Sequence, residues 1–393
     1  MNRNPIYTPS ELKAPENLFP IVFSANDNYA KYAGVAIQSI ICNASPCNVY
    51  RIYILHTSIS ANHIKELEGM STGNVTVKCL NIEHLIRDIQ TPFPTLGYIT
   101  KEAYYRIFIP EIDEFRSYPY VIYLDCDIIV NSDIAEIVPQ EMGNKLIAGV
   151  RDYVMMGEDD KQRLERDLDL DATQYINSGV LVINVPQWIQ EKTSKKCIDF
   201  LDSIPPEIYV FMDQDIINAV CKNRIFYLDE AWNFSWYSIY GDEKAVERCK
   251  AISTRIGDQF HILHFAAPFK PWSSIEYPLA HYFWKYAGQS PFLEEIIEKN
   301  LCSKAELESN LPYIRIGRTI TFIPRKLYGG IKCVRDHGAG YTVRRALYHM
   351  GLWKDEEAPK GPENRAKLIL CIQRVLPFEK DKQNKQHRKE GSL

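Results

Sequence analysis

Short apolar runs alternate with amphipathic stretches from the start of the chain. Ile21-Val-Phe-Ser-Ala25 has the length and composition of a strand, and from Tyr29 to Ile41 the apolar positions Ala33, Ile37, Ile40 and Ile41 recur at helical spacing. Val49 to Leu55 predicts a second strand, Ser60 the cap of a helix reaching about Met70, and Val75 to Leu80 a third strand. Strands and helices in this alternation predict a parallel sheet of βαβ units, which takes its ligands at the carboxyl ends of the strands. Further on, Thr100 to Ile109 reads as a helix stopped by Pro110. Leu146 to Val150 and Gly179 to Val185 read as strands, the second followed by a helix carrying Trp188. Asp213 opens a helix ending near Cys221.

The run Val121-Ile-Tyr-Leu-Asp-Cys-Asp-Ile-Ile-Val130 departs from this pattern, because two aspartates split it. It reads as a buried strand on either side of a polar break, and strand alternation directs the carboxylates at i and i+2 to the same side. Like charges so placed in apolar surroundings are costly unless a cation neutralises them, and a hard divalent ion is the usual partner of oxygen ligands. The simpler reading is a strand end at which Asp127 or Asn131 caps a turn. Asp27 and Asn28 follow the first strand as Asp125 and Asp127 end a later one, so both groups are expected in one crevice.

Other polar residues interrupt apolar context in the same way. His264, within His261-Ile-Leu-His264, reads as a satisfied core histidine or as an imidazole ligand to a manganese-like ion. Lys270 is either a solvated lysine or an ammonium beside an anion. Asn177-Ser-Gly179 is either a turn before a strand or a polar group at the crevice. Asp213 suits a helix start, whereas Gln214 is poorly explained by capping. Arg106 and Asp152, taken singly, read as members of surface ion pairs.

Composition narrows the class more than the mechanism. At 393 residues, 46% hydrophobic and 24% charged, the chain fits a globular protein of one large domain plus an extension, or of two domains. No apolar run approaches the roughly 18 residues of a membrane span, and the N-terminus lacks the apolar core of a secretory signal. Ten cysteines without C-x-x-C pairs suggest reduced thiols and a cytoplasmic location. The net charge of −4 conceals a polarity: residues 311–393 hold 18 Lys and Arg against 8 Asp and Glu, an excess of ten, so the remainder carries −14. A basic tail on an acidic body suggests an anionic surface as partner. The expected organisation is an N-terminal arm (1–20), a catalytic domain (21–290) and a basic C-terminal extension (291–393) with a disordered end.

Six segments, in order, resemble the retaining GT-A glycosyltransferases of family 8, which include bacterial lipopolysaccharide galactosyl- and glucosyltransferases and glycogenin. Ile21 to Ala30 is similar to the nucleotide-binding opening, Ala103-Tyr-Tyr-Arg106 to a helix with an arginine near the diphosphate, and Tyr123 to Ile128 to the D-x-D metal motif. Tyr175 to Asn184 resembles the N-[AS]-G strand, Asp213-Gln-Asp215 the D-Q-D helix, and His264 with Lys270-Pro-Trp272 the closing H-x5-K-P-W element. Two positions depart from the pattern: Asn26 stands where many members have Asp, and Ala267 where Gly is usual.

The resemblance implies a GT-A fold, an α/β architecture with a Rossmann-like, mostly parallel mixed sheet flanked by helices. It implies a UDP-hexose donor, Mn2+ (or Mg2+) on Asp125, Asp127 and His264, and a glycan or glycolipid acceptor. Ser24, Ala25, Asn26, Asn28 and Tyr29 would lie around the uridine. Arg106, Cys126, Ala267 and Lys270 would lie near the diphosphate, and Asp152, Asn177, Ser178, Asp213 and Gln214 around the hexose. Gln214 is then the residue nearest the anomeric carbon, with front-face transfer favoured over double displacement through Asp213. The rival expectations are a non-catalytic sugar-nucleotide-binding scaffold and a metal-dependent nucleotidyltransferase. No nucleic-acid partner is expected, and a peripheral position on the inner face of the cytoplasmic membrane would suit the basic extension. Oligomeric state is not legible.

Overall fold

The computed structural model of the protein describes residues 17–87, 89, 91, 93–95, 100–204, 211–235, 243–266, 270–273 and 277–301. Most of the expected N-terminal arm, nearly all of the basic extension with its expected disordered end, and Ala267 lie outside the described residues. Two compact units divide at Lys270 and Pro271.

In the first unit, chain order runs β1 (Leu18–Ser24), α1 (Asp27–Asn43), β2 (Val49–His56), α2 (Ala61–Glu68), β3 (Val75–Asn81) and α3 (Glu83–Arg87). It continues through β4 (Tyr120–Leu124), β5 (Ile128–Val130), β6 (Ile147–Arg151), α4 (Glu158–Leu168), β7 (Ile176–Asn184), α5 (Val185–Gln190) and α6 (Thr193–Ser203). It closes with α7 (Asp213–Val220), β8 (Ile225–Tyr227), β9 (Phe234–Ser235), α8 (Glu243–Ile256) and β10 (Ile262–His264). The second unit contains α9 (Ala280–Ala287) and α10 (Leu293–Leu301).

Seven strands form one sheet in the order β3-β2-β1-β4-β7-β6-β8. All neighbours are parallel except that β7 runs against both β4 and β6. This is the expected mixed, mostly parallel α/β sheet. Its central strands are covered on both faces, with Ile21, Val22, Phe23, Val121 and Ile122 fully buried, as a parallel sheet under helices requires. A smaller sheet, β5-β10-β9, stands apart.

Val121 to Val130 is strand on either side of a polar break, as expected, but β4 and β5 belong to different sheets, and Asp125 and Asp127 sit in the turn between them. Two bonds pin that turn, Asp125 N–H to the Gly179 carbonyl (2.8 Å) and Phe265 N–H to the Asp127 carbonyl (2.9 Å). Asn177-Ser-Gly179 is the beginning of β7 rather than a preceding turn, because the Asn218 side chain meets both the N–H and the carbonyl of Ile176 (2.8 and 2.9 Å) and extends the strand. Lys101–Glu111 winds as a 3₁₀ helix with Pro110 inside it. Pro110 has no amide, and Arg106 Nε occupies the Ala103 carbonyl at 2.7 Å, so two α-type partnerships are missing.

Candidate active site

The carboxyl ends of β1, β4 and β6 and the start of antiparallel β7 share one edge of the sheet, and a cleft of about 410 Å³ opens there. Ser24, Ala25, Asn26 and Tyr29 reach it from β1 and α1, and Asp125, Cys126 and Asp127 from the turn after β4. Asp152 follows β6, Asn177 and Ser178 open β7, and Asp213 and Gln214 open α7. Arg106, His264 and Lys270 complete the expected group. Asn28 is exposed and is not among the lining residues.

The inner part of the cleft is built around three ligand-type side chains. Asp125, Asp127 and His264 each offer an atom within 4.8 Å of the others. His264 Nε2 lies 3.2 Å from Asp127 Oδ1 and 3.9 Å from Asp125 Oδ2. A chain of amides sets the imidazole tautomer. Gly179 N–H and Asn233 Nδ2 both donate to Asn177 Oδ1 (3.0 and 2.9 Å), which turns Asn233 Oδ1 toward His264 Nδ1 at 2.8 Å. Nδ1 therefore carries the proton, and Nε2 presents its lone pair to the carboxylates, as a metal ligand must.

Gly179 supplies the space. A Cβ there would stand 2.4 Å from His264 Cε1 and 2.6 Å from Asp125 Oδ2, so any other residue would fill the gap between two ligands. Two oxygens, one imidazole and an enforced cavity fit a divalent ion of manganese type.

Cations neutralise this acidic floor. Lys270 is buried, with Nζ 2.6 Å from Asp127 Oδ2 and 2.7 Å from the Phe265 carbonyl. Burial works against ionisation of Asp127, but the Lys270 ammonium outweighs it and holds the carboxyl below the usual range. Arg106 is buried as well. Its Nη2 donates to Asp125 Oδ1 (2.9 Å), Nε lies 3.1 Å from Asp213 Oδ2, Nη1 meets the Ser178 carbonyl and Oγ, and its plane covers the Tyr123 ring. Neither cation is the surface group its sequence context allowed.

At the far side, burial raises Asp213 to about 6 against the pull of Arg106, with Asp125 adding to the rise. Asp152 is likewise pushed upward by burial, opposed by donors from Asn177, Val154 N–H and Gln214. The Gln214 amide is fixed at both ends: Nε2 donates to Asp152 Oδ2 (3.2 Å), and Oε1 accepts Ser178 N–H (2.9 Å). Asp215, one residue on, turns away from the cleft to a bidentate Arg163 (3.1 and 3.2 Å) and the Tyr175 hydroxyl (2.6 Å). Successive residues of a helix diverge by about 100°, so one D-Q-D triplet serves both the cleft and the core. Met212, just before α7, has φ +50° and ψ −117°, a conformation disfavoured for a side chain, which delivers Asp213 and Gln214 to the edge.

Sequence reading missed Glu102 and Asn233. Glu102 lies within the Ala103-to-Arg106 neighbourhood already singled out, so its proximity to a motif was a usable signal. Nothing in Trp232-Asn-Phe234 marks Asn233, whose role depends on β9 and β10 pairing in space.

Comparison with known proteins follows the same stretch of chain. The family profile described as Glycosyl transferase family 8 matches residues 20–276. General stress protein A of Bacillus subtilis (strain 168) is 27% identical over 287 residues, covering 69% of this chain and 93% of the relative. Lipopolysaccharide 1,2-glucosyltransferase of Escherichia coli (strain K12) is 24% identical over 280 residues, covering 70% and 79%. Among solved structures, galactosyltransferase LgtC in complex with donor and acceptor sugar analogues superposes with a TM-score of 0.55 at 24% identity, covering 70% of this chain and 96% of that one. That likeness extends to the GT-A fold.

Proposed function

The chain belongs to glycosyl transferase family 8, and from that premise we propose that it moves a hexose, glucose or galactose, from a UDP-sugar to a cell-surface glycan or lipid-linked acceptor. Configuration at the anomeric carbon is retained, and a divalent ion is required, Mn2+ best and Mg2+ as substitute. The observation that carries the reading is the enclosed Asp125–Asp127–His264 triad with Lys270 on its floor. The relative named as a lipopolysaccharide glucosyltransferase supports both the hexose and the class of acceptor.

The order of groups along the sheet edge matches the order of parts in a nucleotide sugar. Ser24, Asn26 and Tyr29 at β1 suit the uridine. The ligand triad, Lys270 and Arg106 beside β4 suit the diphosphate. Asp152, Asn177, Ser178, Asp213 and Gln214 around β6, β7 and α7 suit the hexose. When bound, the metal supplies Lewis-acid stabilisation to the departing diphosphate. Lys270 adds a buried ammonium, whose attraction to phosphate is less screened than that of a surface lysine. Arg106 orients Asp125 through Nη2.

For retention, Asp213 is poorly placed to attack: its Oδ2 is taken by Arg106 Nε and by Ser178 Oγ (3.2 Å). Gln214 is a weak nucleophile, and its amide is locked between Ser178 and Asp152. Same-face transfer remains, with the leaving phosphate accepting the acceptor's proton and Gln214 aligned beside the sugar. The basic extension would dock the enzyme on an anionic membrane near its acceptor.

A screen of UDP-sugars for Mn2+-dependent hydrolysis and transfer, followed by linkage analysis of the product, tests the reading. Asp125→Asn and Asp127→Asn should lower turnover by about 100-fold or more. Full activity of both variants in excess chelator would sink it.

A further inference from the structure

The end of the cleft beside β1 holds a charged group that the transfer chemistry leaves unused. Glu102, in the 3₁₀ run, is 5% exposed and lines the cleft with Ser24, Asn26 and Tyr29. Thr100 Oγ1 (2.5 Å) and Asn26 Nδ2 (3.3 Å) both donate to its Oε2. Among the described residues no protein donor reaches Oε1. Asn26 has no freedom to turn, because its Oδ1 accepts Tyr29 N–H at 3.2 Å as the cap of α1.

A carboxylate at position 26 would confront Glu102 as a like charge, so the neutral amide and the acid form a matched pair. Burial, with Asp127 adding to it, raises the Tyr29 phenol, which stays protonated beside them. The Ser24 hydroxyl on the same wall is enclosed and has no hydrogen-bond partner among the described residues. This wall is polar and, among the described residues, incompletely satisfied, and its open carboxylate oxygen calls for an N–H.

We infer that Glu102 selects the donor's base, accepting the N3–H of uracil through Oε1; the inference rests on the reading of the donor as a UDP-sugar. Cytosine presents a lone pair at that ring position, which a carboxylate repels. With Oε2 already holding two donors, a single oxygen remains, suited to one ring N–H rather than to the paired donors of guanine.

The test is calorimetric titration of the full chain with UDP, CDP, GDP and ADP in the presence of Mn2+, for wild type, Glu102→Gln and Glu102→Asp. Wild type should bind UDP about tenfold or more tighter than CDP, the size of one charge-assisted hydrogen bond. In Glu102→Gln the ratio should fall to one or below, since Asn26 and Thr100 hold the amide oxygen at the Oε2 position and leave the NH2 facing the base, where cytosine N3 accepts it and uracil N3–H does not. In Glu102→Asp the shorter side chain should weaken UDP and leave CDP unchanged. The ratio of affinities does not depend on the folded fraction, so a partly unfolded variant still reports. An unchanged ratio in both variants would reduce Glu102 to a support for Asn26, and tighter binding of CDP or a purine nucleotide by wild type would overturn the base assignment. Failure of the donor reading is distinct: wild type would bind none of the four.

Discussion

Gly179 and Asp213 show how single positions carry the cleft. Gly179 sits in ordinary extended backbone, so its absence of a side chain serves space rather than conformation. Gly179→Ala would push a methyl between His264 and Asp125, and turnover at limiting Mn2+ should drop at least tenfold, with an overpacking cost to stability of about 1–3 kcal/mol. Undiminished Mn2+ affinity by titration would show that the gap does not hold the ion. Asp213 is raised to about 6 in the fold from an ordinary value of 3.8. The folded state thus binds a proton more tightly than the unfolded chain, and this contribution is full below about pH 4 and lost as pH rises through about 6. A shift of roughly two units corresponds to about 3 kcal/mol. Metal-free wild type should therefore lose more stability between pH 4 and 6.5 than Asp213→Asn, by chemical denaturation at each pH. Parallel curves for the two proteins would refute it.

Among the elements, α1 does more than cover the sheet. Its buried Ser39 accepts the Val130 N–H at 2.9 Å, and Asn43 donates to the Val130 carbonyl at 3.0 Å. The helix thereby replaces a neighbouring strand along the open edge of β5 and fixes the segment that begins at Asp127. Ser39→Ala would leave the Val130 amide buried without a partner, at a cost of about 1–3 kcal/mol. Urea denaturation should register that loss, with weaker Mn2+ binding because Asp127 is no longer held from behind. Wild-type stability in the variant would mean that water or a shifted backbone replaces the hydroxyl. The 3₁₀ run belongs to this scale too, since its first half supplies both Glu102 and Arg106 to the cleft.

For the whole molecule, charge is distributed unevenly along the sequence, with an excess of ten positive charges in residues 311–393. Among the described residues no helix is long and apolar enough to cross a membrane. Each lysine or arginine near an anionic surface contributes about 1 kcal/mol, so a few acting together give measurable, salt-sensitive attachment. The full chain should co-sediment with anionic vesicles at low salt and be released at high salt, while a truncation after Asn310 should stay in solution throughout. Equal partition of the two proteins would remove the extension from this role and favour a soluble acceptor.

The sequence by itself determined the α/β class, the alternation of β1 to β3 with their helices, and the identity of Asp125, Asp127, His264, Lys270, Asp213 and Gln214 as a group worth joining. These were legible because buried strands write themselves as apolar runs, and polar residues that interrupt such runs demand a reason. The direction of β7, the split of β4 from β5 into two sheets, and the choice of Asn233 to set the His264 tautomer were decided only in three dimensions. Pairing direction, strand registry and amide orientation depend on neighbours distant in sequence, and no local pattern encodes them. The same holds for burial. Taken singly, Arg106 read as a surface ion pair and Lys270 left solvated lysine and buried ammonium both open, because a charged side chain looks the same on paper wherever it lies; only the fold sets them against carboxylates from a distant turn and helix start.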